Sequence, residues 1–184
     1  MVSVRGAAYV PASPPSTLAE AFLLTDDLTT TLARDLRALA REVAAYPDDA
    51  AVWREVAGLP NPAGVLARHL AGNIRHYVGT ALGGGAYVRD RADEFAIRGV
   101  TRAAIIAEVE AARADVERVI PTLEPAQLDA DLPLPVGGHA VGTRRFLLHL
   151  SAHLAYHLGQ IDYHRRVVAP GSGSINAMAV EELG

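Results

Sequence analysis

The first third of the chain carries apolar residues every three or four positions, the spacing that places them on one face of a helix. This face contains Leu18, Phe22, Leu28, Leu32, Leu36, Leu39 and Val43. Thr17 and Glu20 have the spacing of a capping box, which marks the start of the helix, and Pro47 marks its end. The charged residues Arg34, Asp35, Arg37 and Arg41 mostly fall outside the apolar face.

Two further helices are predicted in the middle of the chain. Asn61 is a good N-cap and Pro62 suits the first helical position, so a second helix should begin here and end near Ala81. Thr101 begins a third helix. The apolar face of this third helix consists of Ile105, Val109, Ala112, Val116, Val119 and Ile120.

The last long helix begins at Thr143 and reaches about Val168. Four long helices with one apolar face each predict an all-α four-helix bundle, which we expect to span residues 16–169. Before it, residues 1–15 are rich in proline and predicted to be irregular. After it, residues 170–184 form a C-terminal tail with little pattern.

Two connections are long enough to need an interpretation of their own. Residues 83–100 are polar and charged, which predicts a surface loop crossing one end of the bundle. Residues 131–142 alternate apolar and small residues around Gly137-Gly138, which is typical of a short hairpin. His139 lies in this turn and is interpreted as a loop residue.

Composition narrows the class of protein. The 184 residues suit one domain, and the net charge of −4 excludes a generic nucleic-acid binder, which needs a basic face. There is no signal-peptide pattern and no apolar run of about 18 residues, so we expect a cytoplasmic protein with no membrane partner. There is also no cysteine, so any transition metal must be bound by histidine or carboxylate.

The predicted last helix carries a row of polar side chains at intervals of four, four, three and four residues. These are His149, His153, His157, Gln160 and His164. On a helix they fall within about one quarter of the circumference, beside the apolar face, so they should point toward the bundle interior or its mouth. Buried imidazoles need partners for their nitrogens, and a divalent metal ion is one such partner.

The spacing also indicates how such an ion could be bound. His153 and His157 are four residues apart and can bind one ion together, while His69 on the second helix can supply a third nitrogen. His76 competes with His69 for this position, and Asn73 shares their face. Three protein ligands and one free position are typical of a catalytic site. On spacing alone, a purely structural polar cluster remains an open alternative.

Three segments of the sequence carry a resemblance to a known family. They are HLAGNIRHYV, RDRADEF and LLHLSAHLAYHLGQI. Their order and spacing over residues 15–168 resemble the DinB/YfiT-like superfamily of metalloenzymes. The resemblance implies a bundle of up-down-down-up connectivity, usually a homodimer, with three histidines that bind zinc or nickel. Matched residue by residue, these histidines are His69, His153 and His157.

The resemblance also implies a reaction. Characterised relatives include bacillithiol S-transferases and the metal-binding domain of a mycothiol-dependent isomerase, in which a metal ion activates a small thiol. The co-substrates would be a low-molecular-weight thiol and an electrophile, which would bind where Arg89, Arg91 and Glu94 close over the metal. Asn73 could point at the open side of the metal. His149 and Gln160 would orient a ligand.

Two other functions stay open. The same metal site could activate water for hydrolysis, with Glu94 or Asp90 as the nearest candidates for a general base. Alternatively, the protein could be a non-catalytic metal-binding protein of a stress response. For the transferase hypothesis, in contrast, the predicted catalytic residues are Asn73, Arg91 and Glu94.

Overall fold

The computed structural model describes residues 17–184, so the prediction for residues 1–15 lies outside this part of the chain. Its helices are α1 (Leu18–Ala44), α2 (Ala63–Ile74, continued by a π-helix at Arg75–Leu82), α3 (Arg91–Ala96), α4 (Arg102–Val119), α5 (Pro125–Asp129) and α6 (Thr143–Val168). Three 3-10 turns occur at Ala51–Trp53, Ile120–Thr122 and Val180–Leu183. Within residues 17–184, no helix combines the length and the apolar character needed to cross a membrane.

The four long helices, α1, α2, α4 and α6, form a square in which α1 and α2 each pack against both α4 and α6. Contacts at the helix ends give their directions. Arg102, at the start of α4, donates a hydrogen bond to the carbonyl oxygen of Ala44 at the end of α1, so these two helices are antiparallel. Arg165, near the end of α6, pairs with Glu42 near the end of α1, so α6 runs parallel to α1.

The remaining pair of helices completes the connectivity. Arg68 of α2 pairs with Glu108 of α4, and Arg75, two turns later, pairs with Asp115. Because the two pairs follow the same order along both helices, α2 and α4 are parallel. The bundle therefore has the up-down-down-up connectivity that the family resemblance implied, and the all-α prediction is confirmed.

The apolar pattern predicts the core well, with one exception at the start of α1. The predicted face of α4 is buried throughout, and so is that of α1 from Leu28 onward. Leu18 and Phe22 are exposed, because the buried row in the first turns of α1 passes through Ala21 and Thr25 instead. The capping box of Thr17 with Glu20 is present as predicted.

Charged residues enter the interior where the pattern did not indicate them. Arg34 and Asp35 are buried and form an ion pair at 2.8 Å. The tail also packs against α1, since Glu182 pairs with Arg41 at 2.8 Å and with Arg37 at 3.6 Å. Residues after α6 are thus attached to the bundle by these ion pairs as well as by the apolar contacts of Ala177 and Ala179.

Three local predictions need adjustment. Pro62 occupies the N-cap of α2, one residue later than predicted, with extended backbone and no side-chain cap. Residues 83–100 are not all loop, because they contain α3, whose N-cap Asp90 accepts a hydrogen bond from the Asp93 amide at 2.9 Å. Residues 131–142 form isolated antiparallel bridges rather than a regular hairpin; no regular strand occurs in the described part of the chain.

Candidate metal centre

The structure brings together one histidine from α2 and two from α6. His69, His153 and His157 each offer a ring nitrogen, and these nitrogens all lie within 4.8 Å of one another. The ring of His69 lies 5.2 Å from that of His153 and 5.7 Å from that of His157, centroid to centroid. His69 is buried, whereas the two α6 histidines are half-buried. The cluster therefore sits between two antiparallel helices and opens toward solvent on the α6 side.

Hydrogen bonds hold two of these rings in a defined orientation. His69 Nδ1 lies 3.1 Å from Glu94 Oε2, and His157 Nδ1 lies 2.6 Å from Gln160 Oε1. Arg89 Nη2 also lies 3.1 Å from His69 Nδ1. With its proton on Nδ1, each neutral ring donates to its oxygen partner and keeps a free lone pair on Nε2. Second partners that fix the tautomer in this way are the usual accompaniment of metal-binding histidines.

His153 lacks such a partner. Within residues 17–184, its buried Nδ1 has no hydrogen-bond partner. Burial, and then the neighbouring positive charges that His157, His69 and His149 would carry, lower the pKa of His153 from 6.5 to about 4. Burial likewise lowers the pKa of His157, although the Gln160 bond opposes it. Neutral imidazole is the form that binds a metal, so the donor set fits a divalent ion.

A buried ion pair lies behind His69. Arg89 donates from Nε to Glu94 Oε1 and from Nη2 to Glu94 Oε2, both at 2.7 Å. Burial would raise the pKa of Glu94, but the hydrogen bonds from Arg89 and His69 outweigh it and lower that pKa. Glu94 is therefore a carboxylate that accepts from both Arg89 and His69, the arrangement of a carboxylate–histidine–metal triad.

The backbone of α2 makes room for this carboxylate at Gly72. A Cβ atom added at Gly72 would lie 2.1 Å from Glu94 Oε1 and 3.3 Å from the Tyr87 hydroxyl. Any side chain at this position would displace Glu94 from its bond with His69. The glycine in the HLAGN segment is thus explained by a close approach between α2 and α3.

The other predicted site residues occupy different surroundings. Asn73 is partly buried, and in the described chain its buried Oδ1 accepts no hydrogen bond. Arg91 is exposed, with its guanidinium 4.9 Å above the ring of Phe95. That ring lies 5.1 Å from the ring of His69. Asp90 is exposed as the cap of α3.

Three other histidines of α2 and α6 lie outside the cluster. His149 is exposed and stacks 5.9 Å from His153, and His76 packs on Tyr77 at 4.7 Å. His164, from the same row as His153, lies in another environment, where Tyr46 Oη and the Arg54 carbonyl oxygen are both 2.8 Å from its ring nitrogens.

Sequence reasoning missed the ordered structure of the segment that packs against His69, which contains Arg89 and α3. The ion pair of Arg89 with Glu94 and the clearance at Gly72 depend on tertiary contacts that leave no periodic signal. One signal was available, because an aspartate three residues before another aspartate, as in Asp90 and Asp93, is typical of a helix N-terminus. It would have placed α3, and with it the buried carboxylate.

Comparison with known proteins gives one family. A family model described as mycothiol-S-transferase matches residues 27–170, which include most of α1, all of α2 to α6 and all three histidines of the cluster. No curated protein and no solved structure gives a significant match. The match supports the thiol-transferase branch of the DinB/YfiT-like superfamily that the sequence resembles.

Proposed function

Because the chain belongs to the mycothiol S-transferase family, we propose that it joins a low-molecular-weight thiol to an electrophile at a divalent metal ion bound by His69, His153 and His157. The observation that carries this proposal is the convergence of three imidazole nitrogens from two helices within 4.8 Å. Three nitrogen ligands leave a coordination position for a substrate, as catalytic sites require.

The metal and the protein divide the chemistry between them. A bound zinc or nickel ion would lower the pKa of a thiol, so that the thiolate nucleophile exists near neutral pH without a cysteine from the chain. In the overall transfer, a carbon–sulfur bond forms, the bond from that carbon to its leaving group breaks, and the leaving group departs with the electron pair. The thiol proton passes to solvent.

Glu94 and Arg89 act in this proposal as positioning residues. Both oxygens of Glu94 are already engaged, one by Arg89 and the other by Arg89 and His69. Such a carboxylate, with a lowered pKa, is a poor proton acceptor but a good acceptor for His69 Nδ1–H. This geometry favours the transferase over a hydrolase in which Glu94 would deprotonate water.

Asn73 and Arg91 are proposed to contact the substrates. The Asn73 side chain lies one turn after His69 and its buried Oδ1 has no hydrogen-bond partner in residues 17–184, so it can accept one from an amide or hydroxyl of the thiol. Arg91 is exposed near Phe95 and could pair with a carboxylate on a reactant. The proposal also includes a homodimer and a cytoplasmic location.

The test combines metal content with thiol consumption. Protein without a polyhistidine tag should contain about one zinc or nickel ion per chain and should consume mycothiol or bacillithiol only when an electrophile such as monochlorobimane is present. His153→Ala should lose the metal and at least about a hundredfold of the activity.

The matched control is His139→Ala, which removes an exposed histidine from the turn before α6. It should keep both metal and activity. Metal-free wild-type protein with full thiol transfer, or unchanged activity in His153→Ala, would contradict the proposal. Turnover with water alone would favour the hydrolase.

A further inference from the structure

A cavity of about 570 Å³ borders the cluster at His157. Leu59, Pro60 and Leu66 line one wall, and Tyr156 and Tyr163 of α6 line the other. The volume lies within the range of small-molecule sites. The two tyrosines are 65 % and 73 % exposed, so this wall presents aromatic surface that the fold itself does not bury.

His157 and Gln160 connect the cavity to the histidine cluster. Both line the cavity, and the Gln160 Oε1 that holds His157 Nδ1 at 2.6 Å belongs to its wall. The ring of Tyr156 lies 5.1 Å from that of His157. One edge of the His157 ring therefore faces the cavity wall, while its other nitrogen is available to the cluster.

The two flanks of the cluster differ in charge. Beside His69 lie the ionised Arg89 and Glu94. The cavity beside His157 has no Asp, Glu, Lys or Arg among the described residues that line it, and its polar groups are amides, hydroxyls and imidazoles. A charged group entering this cavity would lose hydration without gaining a counter-ion, whereas an uncharged ring would lose nothing comparable.

We propose that this cavity binds the electrophile and selects uncharged, aromatic electrophiles, which its tyrosine and leucine walls would hold by ring contacts and apolar burial. The inference rests on the proposed thiol transfer and adds the class of the second substrate. With monochlorobimane, the thiol sulfur bonds to the chloromethyl carbon, the carbon–chlorine bond breaks, chloride leaves with the electron pair and the thiol proton passes to solvent.

Gly159 offers a way to fill the cavity without disturbing the fold. It lines the cavity, and a Cβ added there meets no atom within 4 Å. Gly159→Leu should therefore fold and raise the KM for monochlorobimane by about tenfold or more, with metal content and the KM for the thiol unchanged within about twofold. The matched control, Ala114→Leu, adds the same side chain at an exposed position of α4 outside the cavity.

A second measurement separates this inference from the proposed function. Dimethylbimane, which lacks the leaving group, is titrated by its fluorescence into metal-loaded wild-type protein and Gly159→Leu. Weaker binding to the variant by about tenfold supports the cavity even if no thiol is consumed, a result that overturns only the transfer reaction. Thiol transfer with unchanged bimane affinity and KM overturns the cavity assignment alone.

Two further outcomes also overturn the cavity assignment. If Gly159→Leu raises the KM for the thiol instead, the cavity binds the other substrate. If sedimentation shows that this substitution dissociates a dimer that Ala114→Leu preserves, the tyrosine wall is an interface between copies of the chain.

Discussion

His153 and His164 lie about three turns apart on α6, yet the hydrogen bonding of their ring nitrogens is opposite. His164 donates from Nε2 to the Arg54 carbonyl oxygen and accepts at Nδ1 from the Tyr46 hydroxyl, each at 2.8 Å. His153 keeps a buried Nδ1 without a partner in the described chain. Position on a helix face therefore does not distinguish a structural histidine from a candidate metal ligand. The hydrogen-bond partners of each ring nitrogen do distinguish them.

The largest expected effect comes from removing the metal. A chelator should abolish thiol transfer, while the far-ultraviolet circular dichroism keeps most of its helical signal, because the buried apolar faces of the four long helices do not depend on the ion. Adding back zinc or nickel should restore activity. Complete loss of helicity on chelation would mean that the cluster is structural, and the contrast with His164 would disappear.

Glu94→Gln should give the next largest effect. The amide cannot accept as strongly from His69 or balance Arg89, so metal affinity measured by competition with a chromophoric chelator should fall by about 10- to 100-fold. The matched control is Glu108→Gln, which weakens the pairing with Arg68 but touches no histidine. Equal losses in both variants would show that Glu94 only supports the fold.

His164→Ala should lower the stability of the fold without lowering metal content, the opposite of the effect expected at the cluster. It leaves the Arg54 carbonyl oxygen without this partner and leaves the Tyr46 hydroxyl with only the Ile161 carbonyl oxygen, 3.2 Å away. Together with the cavity left by the ring, this predicts a loss of about 2–4 kcal/mol in the free energy of unfolding, measured by urea denaturation. Metal content per folded chain should stay at the wild-type value. Loss of metal from a variant that remains folded would contradict the structural role of His164.

The features that could be predicted are those that produce a helical repeat in the sequence. The i, i+4 spacing of His153 and His157, and the buried face of α4, could be predicted because helical geometry fixes which residues share a face. The same rule grouped His164 with the ligands, because its partners Tyr46 and Arg54 are distant in sequence. Tertiary contacts of that kind carry no spacing signal.

The candidate site likewise contains features that could be predicted from the sequence and features that could not. His69 could be proposed as the third histidine from its helix face and from the family resemblance. Its support by Glu94 and Arg89 could not be predicted, because α3 is a short, mostly polar helix whose ion pairs leave no periodic apolar signal. The exposed Leu18 and Phe22 show the reverse error, since the apolar repeat in the first turns of α1 does not coincide with the buried row.

The smallest expected effect is a pH dependence of stability. Burial lowers the pKa of the folded His164 below 6.5, while the backbone bond to Arg54 opposes the shift. The unfolded chain then binds more protons than the folded one just below pH 6.5, so this residue's contribution to stability is complete above that pH and is lost as the pH falls.

The measurement is urea denaturation of metal-free protein at a series of pH values from above to below 6.5. The decline in stability on acidification should be steeper in the wild-type protein than in His164→Gln, which has no group to titrate at this position. Both proteins keep the cluster histidines, so their titration cancels in the comparison. Parallel declines would show that His164 is not protonated differently in the folded and unfolded states.

The clearance at Gly72 has a consequence for protein design. Grafting three histidines onto another helical scaffold would reproduce the spacing of the donors but not the approach of Glu94, because an added Cβ at the position three residues after His69 collides with that carboxylate. A designer would have to transfer the vacant position together with the ligands, and inspection of ligand residues alone would never reveal that requirement.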